Sequence, residues 1–130
     1  MNSNVVLGSM MVLALAGCTT APAPVSNFDE LKYVNLTPEL KAKFAEGVKK
    51  GLKDPFSAVV SDTMYAVTDG KMTTACGYVN AKNSFGAYTG DKPWAAMMTS
   101  QGIVAPVGVG GTDTETRVVL RFCYRRGLNI

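Results

Sequence analysis

The spacing of apolar and polar positions changes character several times along this chain. Residues 5–16 form a short, mostly apolar run close to the first residue. At roughly 12 residues it falls short of the ~20 needed to cross a membrane, which is the pattern of a secretory signal segment. The stretch 19–27, rich in Pro, Ala, Thr and Ser, has no periodicity and reads as a tether. Leu40, Phe44, Val48 and Leu52 then recur at four-residue steps, predicting a helix over 38–52 with one apolar stripe. Thr37-Pro38-Glu39 marks its start, and Lys41, Lys43, Glu46, Lys49 and Lys50 occupy its other sides. Pro55 forces Asp54 out of helical geometry and ends it. Gly47 and Gly51 each cost ~1 kcal/mol relative to Ala, so they point to close packing against a neighbouring element.

The period then shortens to two. Residues 59–60 and 64–68 are β-rich, and Asp69-Gly70 signals a two-residue hairpin turn. The returning strand covers 71–81, with Met72, Thr74, Cys76 and Tyr78 on one face and Thr73, Ala75, Gly77 and Val79 on the other. Gly77, beside Cys76, leaves room for a bridge or a bulge. A polar, glycine-rich loop over 82–93 precedes another strand over 94–99, and 106–112 reads as a mobile glycine-rich connection. Thr112-Asp113-Thr114-Glu115 has the form of a capping box. Beyond it two periods compete: Val118, Leu120, Phe122 and Tyr124 alternate, while Arg117, Arg121 and Arg125 recur every four residues. The marked start and the glycine at Gly127 favour a helix. The expected fold class is α+β: a helix over 38–52 across a small antiparallel sheet over 59–99, and a C-terminal helix held by one disulfide.

Cysteine usage fixes the expected compartment. Leu15-Ala16-Gly17-Cys18 closes the apolar run and resembles the lipobox of bacterial lipoproteins, in which the cysteine is lipidated and becomes the first mature residue. The competing reading is an ordinary core cysteine, but 19–24 is a poor core sequence. The expected organisation is a signal peptide over 1–17, a lipid anchor at Cys18 with a flexible tether over 18–27, and a single domain over 28–130. Removal of the signal leaves 113 residues, enough for one modest core. Cys76 and Cys123, 47 positions apart, remain as an even pair in an exported chain, where a disulfide is the expected state. Two free thiols or a two-ligand metal site are the alternatives; without histidine or a Cys-x-x-Cys pair the metal site is disfavoured. Thr19, rather than Asp, follows the lipidated cysteine and resembles the outer-membrane-directed form. The expected location is therefore the outer membrane, facing the periplasm.

Charge and chemistry narrow the function classes. The net charge is +3, with no basic run of the kind that marks a nucleic-acid binder. Arg117, Arg121, Arg125 and Arg126 form the one basic cluster, for which a solvated face is the plain reading. The chain has no histidine, which removes Ser-His-Asp and Cys-His catalysis and the commonest metal ligand. Asp54, Asp62, Asp69 and Asp91 sit where turns and caps use aspartate, and nothing in their spacing pairs two carboxylates. The expectation is no enzyme, no cofactor and no metal.

Two stretches together resemble a family of small exported bacterial proteins, many of them lipoproteins. They are Asp54-Pro55-Phe56-Ser57-Ala58 and the block from Cys76-Gly77-Tyr78-Val79-Asn80-Ala81-Lys82-Asn83-Ser84-Phe85 through Gly86-Ala87-Tyr88-Thr89-Gly90. The resemblance covers about a third of the mature chain. It implies export and a shared fold, and brings no activity with it. Read physically, the block allows two roles. As a binding loop, Asn80 and Asn83 offer amides, Lys82 a charge, and Phe85 and Tyr88 flat apolar surfaces, a mixture suited to a glycan or an envelope protein. As a structural loop, the asparagines bond their own backbone, Phe85 and Tyr88 pack inward, and Gly86 and Gly90 supply positive φ. The expected function is a non-catalytic, lipid-anchored envelope protein that binds a periplasmic or membrane component through the 80–90 loop. A structural envelope lipoprotein without a single tight partner is the alternative, with a hydrolase or a hydrolase inhibitor behind it.

Overall fold

The computed structural model describes residues 30–130. The expected signal peptide over 1–17, the lipidated Cys18, the tether over 18–27 and the domain start at Phe28 all lie outside the described residues. Seven elements follow in order: β1 Lys32–Val34, α1 Pro38–Lys49, β2 Val59–Thr68, β3 Met72–Asn80, β4 Lys92–Thr99, β5 Val104–Val109 and α2 Asp113–Tyr124. The strands form one antiparallel sheet in the order β1-β2-β3-β4-β5.

The two helices cover opposite faces of this sheet. Alternation along each strand sends Met64, Ala66, Ala75, Val79, Trp94 and Ala96 toward α1, where they meet the fully buried Phe44 and Val48. The intervening Val67, Cys76 and Ala95 face α2 and pack with Val119, Cys123 and Leu128. Thr74, Ala75, Cys76 and Gly77 are consequently buried without a break. Antiparallel sheets often leave one face to water; here β3 is enclosed on both sides.

Glycine and alanine set how closely the layers approach. A Cβ at Gly47 would run into Val104, and one at Gly51 would stand 3.2 Å from Pro106, so the glycines bring α1 onto β5. The space at Gly77 lies at the register shift of β2, whose Met64 pairs with it and would stand 3.1 Å from an added Cβ. Gly77 lies opposite Trp94 in the register, and a Cβ there would come within 3.0 Å of the indole. Trp94 fills the gap and stacks on Phe44 with centroids 6.5 Å apart. From the other face of the sheet, Cys76 forms the disulfide to Cys123, with an S–S distance of 2.06 Å.

Both helix starts are capped by threonine. Thr37 Oγ1 accepts from the Leu40 N–H at 3.3 Å. The Thr112 hydroxyl accepts from the Glu115 N–H at 3.2 Å, and Glu115 Oε2 accepts from the Thr112 N–H at 2.8 Å, closing a capping box. Residues 113–124 are helical, so the four-residue recurrence of arginine prevails over the alternation of Val118, Leu120, Phe122 and Tyr124. At the far end Gly127, with φ 74°, and Leu128 donate to the carbonyls of Tyr124 and Cys123, the paired closure of a Schellman motif.

Several boundaries differ from expectation. α1 ends at Lys49, because Gly51 and Leu52 donate to carbonyls three residues back and tighten the last turn. Leu52 still packs against the α1-side core. Residues 59–68 form one strand with a register shift between Val60 and Met64. The 69–71 turn is longer than two residues because Asp69 Oδ1 accepts from the N–H groups of both Lys71 and Met72, each at 2.8 Å. Most of the connection expected to be mobile is the edge strand β5. Pro106 lacks an N–H and is tolerated there beside a register shift at Ala95/Ala96. The short strand β1 is an addition to the expected elements.

Two outcomes test this packing. Reduction should raise the intact mass by ~2 Da, and Cys123→Ala should lower unfolding stability by about 4 kcal/mol for a 47-residue separation; an unchanged urea midpoint would contradict a cross-linked core. Gly47→Ala should destabilise by about 1 kcal/mol despite alanine's better helix propensity, because the new methyl overpacks Val104. A raised midpoint would show that β5 yields freely to α1.

Candidate functional site

The 54–58 turn and the loop that follows β3 meet at one residue. Ser57 donates its N–H to Asp54 Oδ1 at 3.2 Å and its hydroxyl to the Asp54 carbonyl at 3.4 Å, closing the 54–57 turn. Its hydroxyl oxygen accepts from the Lys82 N–H at 3.0 Å, and its carbonyl accepts from the Tyr88 hydroxyl at 3.2 Å. The 54–58 turn and the 82–90 loop are thereby joined at the end of the sheet where β3 ends and β4 begins.

Within the loop, Lys82 and Tyr88 form an isolated antiparallel bridge, and the Lys82 ammonium lies 5.4 Å from the Tyr88 ring centroid, within cation–π range. Asn83 closes the tip. Its Oδ1 accepts from the Phe85 and Ala87 N–H groups at 2.9 and 3.2 Å, and its backbone N–H donates to the Ala87 carbonyl at 2.8 Å. Gly86 and Gly90 hold φ values of 80° and 87°, conformations that side-chain-bearing residues rarely adopt. Asn83 and the two glycines thus shape the loop. Phe85 and Tyr88 do not pack inward: Phe85 is 95% exposed and Tyr88 is half exposed. A loop closed on itself so tightly leaves the Phe85 ring no route to the core.

Asn80 sits apart from the tip, at the end of β3. It lines a cleft of about 490 Å³ with Val59, Ser61, Tyr88 and Asp91. Its Oδ1 is buried and has no hydrogen-bond partner among the described residues, leaving acceptor capacity at the cleft wall. Asn80, Lys82 and Tyr88 therefore share one side of the site, while Phe85 projects from the tip. Phe56, next to Ser57 in the chain, was not among the candidates read from the sequence. It is fully exposed on the turn that Ser57 fastens to the loop. A large apolar side chain between a Pro and a Ser at a turn was the available signal.

No family model, curated protein or solved structure matches this chain. Among the described residues no group of three or more His, Cys, Asp or Glu side chains is placed to hold a metal ion.

Electrostatics ties the site's turn to pH. The Ser57 hydroxyl, then its N–H, holds the Asp54 carboxyl below its usual range. The N–H groups of Met72 and Lys71 do the same for Asp69, and the N–H and hydroxyl of Thr112 for Glu115. Lowered folded-state values mean that the unfolded chain binds more protons in acid, so stability falls as pH falls. The urea midpoint should be flat above about pH 5.5, where these carboxyls are ionised in both states, and should decline below about pH 4. Asp54→Asn with Asp69→Asn should flatten that decline; an undiminished slope would assign it to other groups.

Proposed function

We propose that this is a non-catalytic cell-envelope protein, lipid-anchored through Cys18, that binds a periplasmic or membrane component through the 80–90 loop. The observation that carries the reading is the paired exposure of Phe56 and Phe85, 100% and 95%, on two turns fastened by Ser57. Aromatic rings held in water by an ordered backbone give nothing to the core. They are the type of side chain that anchors recognition surfaces at small ordering cost. Beside them, the cleft at Asn80 and the Lys82–Tyr88 pair supply hydrogen-bonding groups and one positive charge. The mixture suits an envelope protein or a glycan.

The placement of the loop supports this reading. Lys32 of β1 pairs with Thr68 next to the 69–71 turn, so the chain joins the sheet at the end opposite the 82–90 loop. The nine residues of β3 separate the two ends by about 30 Å. A domain tethered through its N-terminal segment would hold the Phe56–Phe85 tip well away from its attachment. The lipobox resemblance and Thr19 support export toward the outer membrane, and the likeness to small exported bacterial proteins supports export.

In-cell photo-crosslinking from position 84, an exposed neighbour of Phe85, should yield one predominant adduct. Phe56→Ala with Phe85→Ala should abolish it while changing stability by no more than about 0.5 kcal/mol. Tyr88→Phe, which removes the bond to Ser57, should cost about 1 kcal/mol and retain the adduct. Diffuse labelling that the double variant leaves unaltered would overturn the reading in favour of a structural lipoprotein without a single partner.

A further inference from the structure

We infer that the outward face of α2 docks the folded domain onto an anionic membrane surface. All four arginines of the chain lie at 117–126, and every other cationic side chain is a lysine. Arg117, Arg121 and Arg125 recur at four-residue steps, so they share one face and span about 12 Å. Val119 and Cys123 on the opposite side are buried against the sheet, which turns the arginine row toward solvent. None of the three forms a salt bridge among the described residues. The carboxylates of the helix are confined to its first turn, and Glu115 is engaged in the capping box. Apolar surface accompanies the row: Val118 is 62% and Tyr124 72% exposed. Between the arginines a hollow of about 660 Å³ lies over Val118 and Phe122. Arg126 lines the same hollow, stacked 3.6 Å over the Phe122 ring.

Arginine suits planar, bidentate contact with phosphate. Arginine interleaved with tyrosine and aliphatic side chains on one helix face is the pattern of a segment lying at a membrane interface. The attachment of the chain favours a membrane over an acidic protein. The Tyr33 hydroxyl donates to the Gly127 carbonyl at 2.7 Å, so the N-terminal segment joins the domain beside the C-terminal end of α2. Cys18 precedes Glu30 by 12 positions and lies at most about 40 Å away along the chain. This step rests on the lipid-anchor reading, which brings the bilayer within reach of the row. A basic face then supplies a second attraction beside the acyl chains.

The test uses the full chain purified from envelopes and reconstituted into vesicles, with an environment-sensitive fluorophore on Thr114→Cys. Retention on pure phosphatidylcholine vesicles reports the N-terminal anchor alone. Adding 30% phosphatidylglycerol should shift the probe emission to the blue, and 0.5 M NaCl should reverse the shift. Arg117→Gln, Arg121→Gln and Arg125→Gln together should lower the docked-to-free ratio by roughly a hundredfold, with retention on phosphatidylcholine and the melting temperature unchanged. Replacing the three by lysine should restore most of the shift. Equal emission in the two lipid mixtures, or a shift that survives the glutamine triple variant, would overturn the proposal. A larger response to soluble polyglutamate than to phosphatidylglycerol vesicles would also overturn it, by making the partner an acidic protein. Loss of retention on phosphatidylcholine would instead count against the anchor.

Discussion

The bond between Cys76 and Cys123 joins the central strand to the helix that covers one face of the sheet, and much of the fold depends on it. On that face the buried side chains are few and mostly small: Val67, Ala95, Val119 and Leu128 surround the two sulfurs. The other face holds Phe44, Trp94, Met64 and Val79 and has far more apolar volume. Apolar burial scales with area, so α2 gains less from packing than α1 does. The cross-link restricts the unfolded chain across 47 positions and offsets that deficit. A helix held in this way can keep its outer face charged.

The end of the sheet near β4 follows a different logic. Its order comes from hydrogen bonds rather than buried apolar area. The amide, hydroxyl and carbonyl of Ser57 are all engaged, to Asp54, Lys82 and Tyr88. Asn83 closes the tip with four more bonds. An ordered backbone in water frees its side chains from any packing duty. Phe56 and Phe85 can therefore remain exposed without costing the fold its definition, and a rigid presentation lowers the entropy lost when a partner binds.

The legible parts of the fold are those whose ends carry their own chemistry. Thr37-Pro38 and Thr112–Glu115 mark the two helix starts, and the cysteine pair follows from parity and the expectation of export. β5 was hidden because Pro106, Gly108 and Gly110 read as a connection; only pairing with β4 gives these residues a place at an edge. The double burial of β3 was equally hidden, since alternating faces describe a strand without saying what covers each face. Within the site, the turn role of Asn83 was open to inspection. The exposure of Phe85 was not, because aromatic residues in small domains usually enter the core, and only the closed geometry of the loop rules that out.

The two proposed surfaces constrain one another. α2 starts near β4, where the Gly110 N–H donates to the Pro93 carbonyl at 2.8 Å, and ends beside Tyr33. It therefore runs from the loop end of the sheet to the end where the chain joins. With α2 lying on a bilayer, the strands would run along the membrane and the Phe56–Phe85 tip would point sideways rather than outward. With α2 released, the same tip could swing away from the surface on its N-terminal attachment. Docking would then select partners held against the membrane, and release would select partners in the periplasmic space. A single helix face would set which of them the aromatic tip can meet.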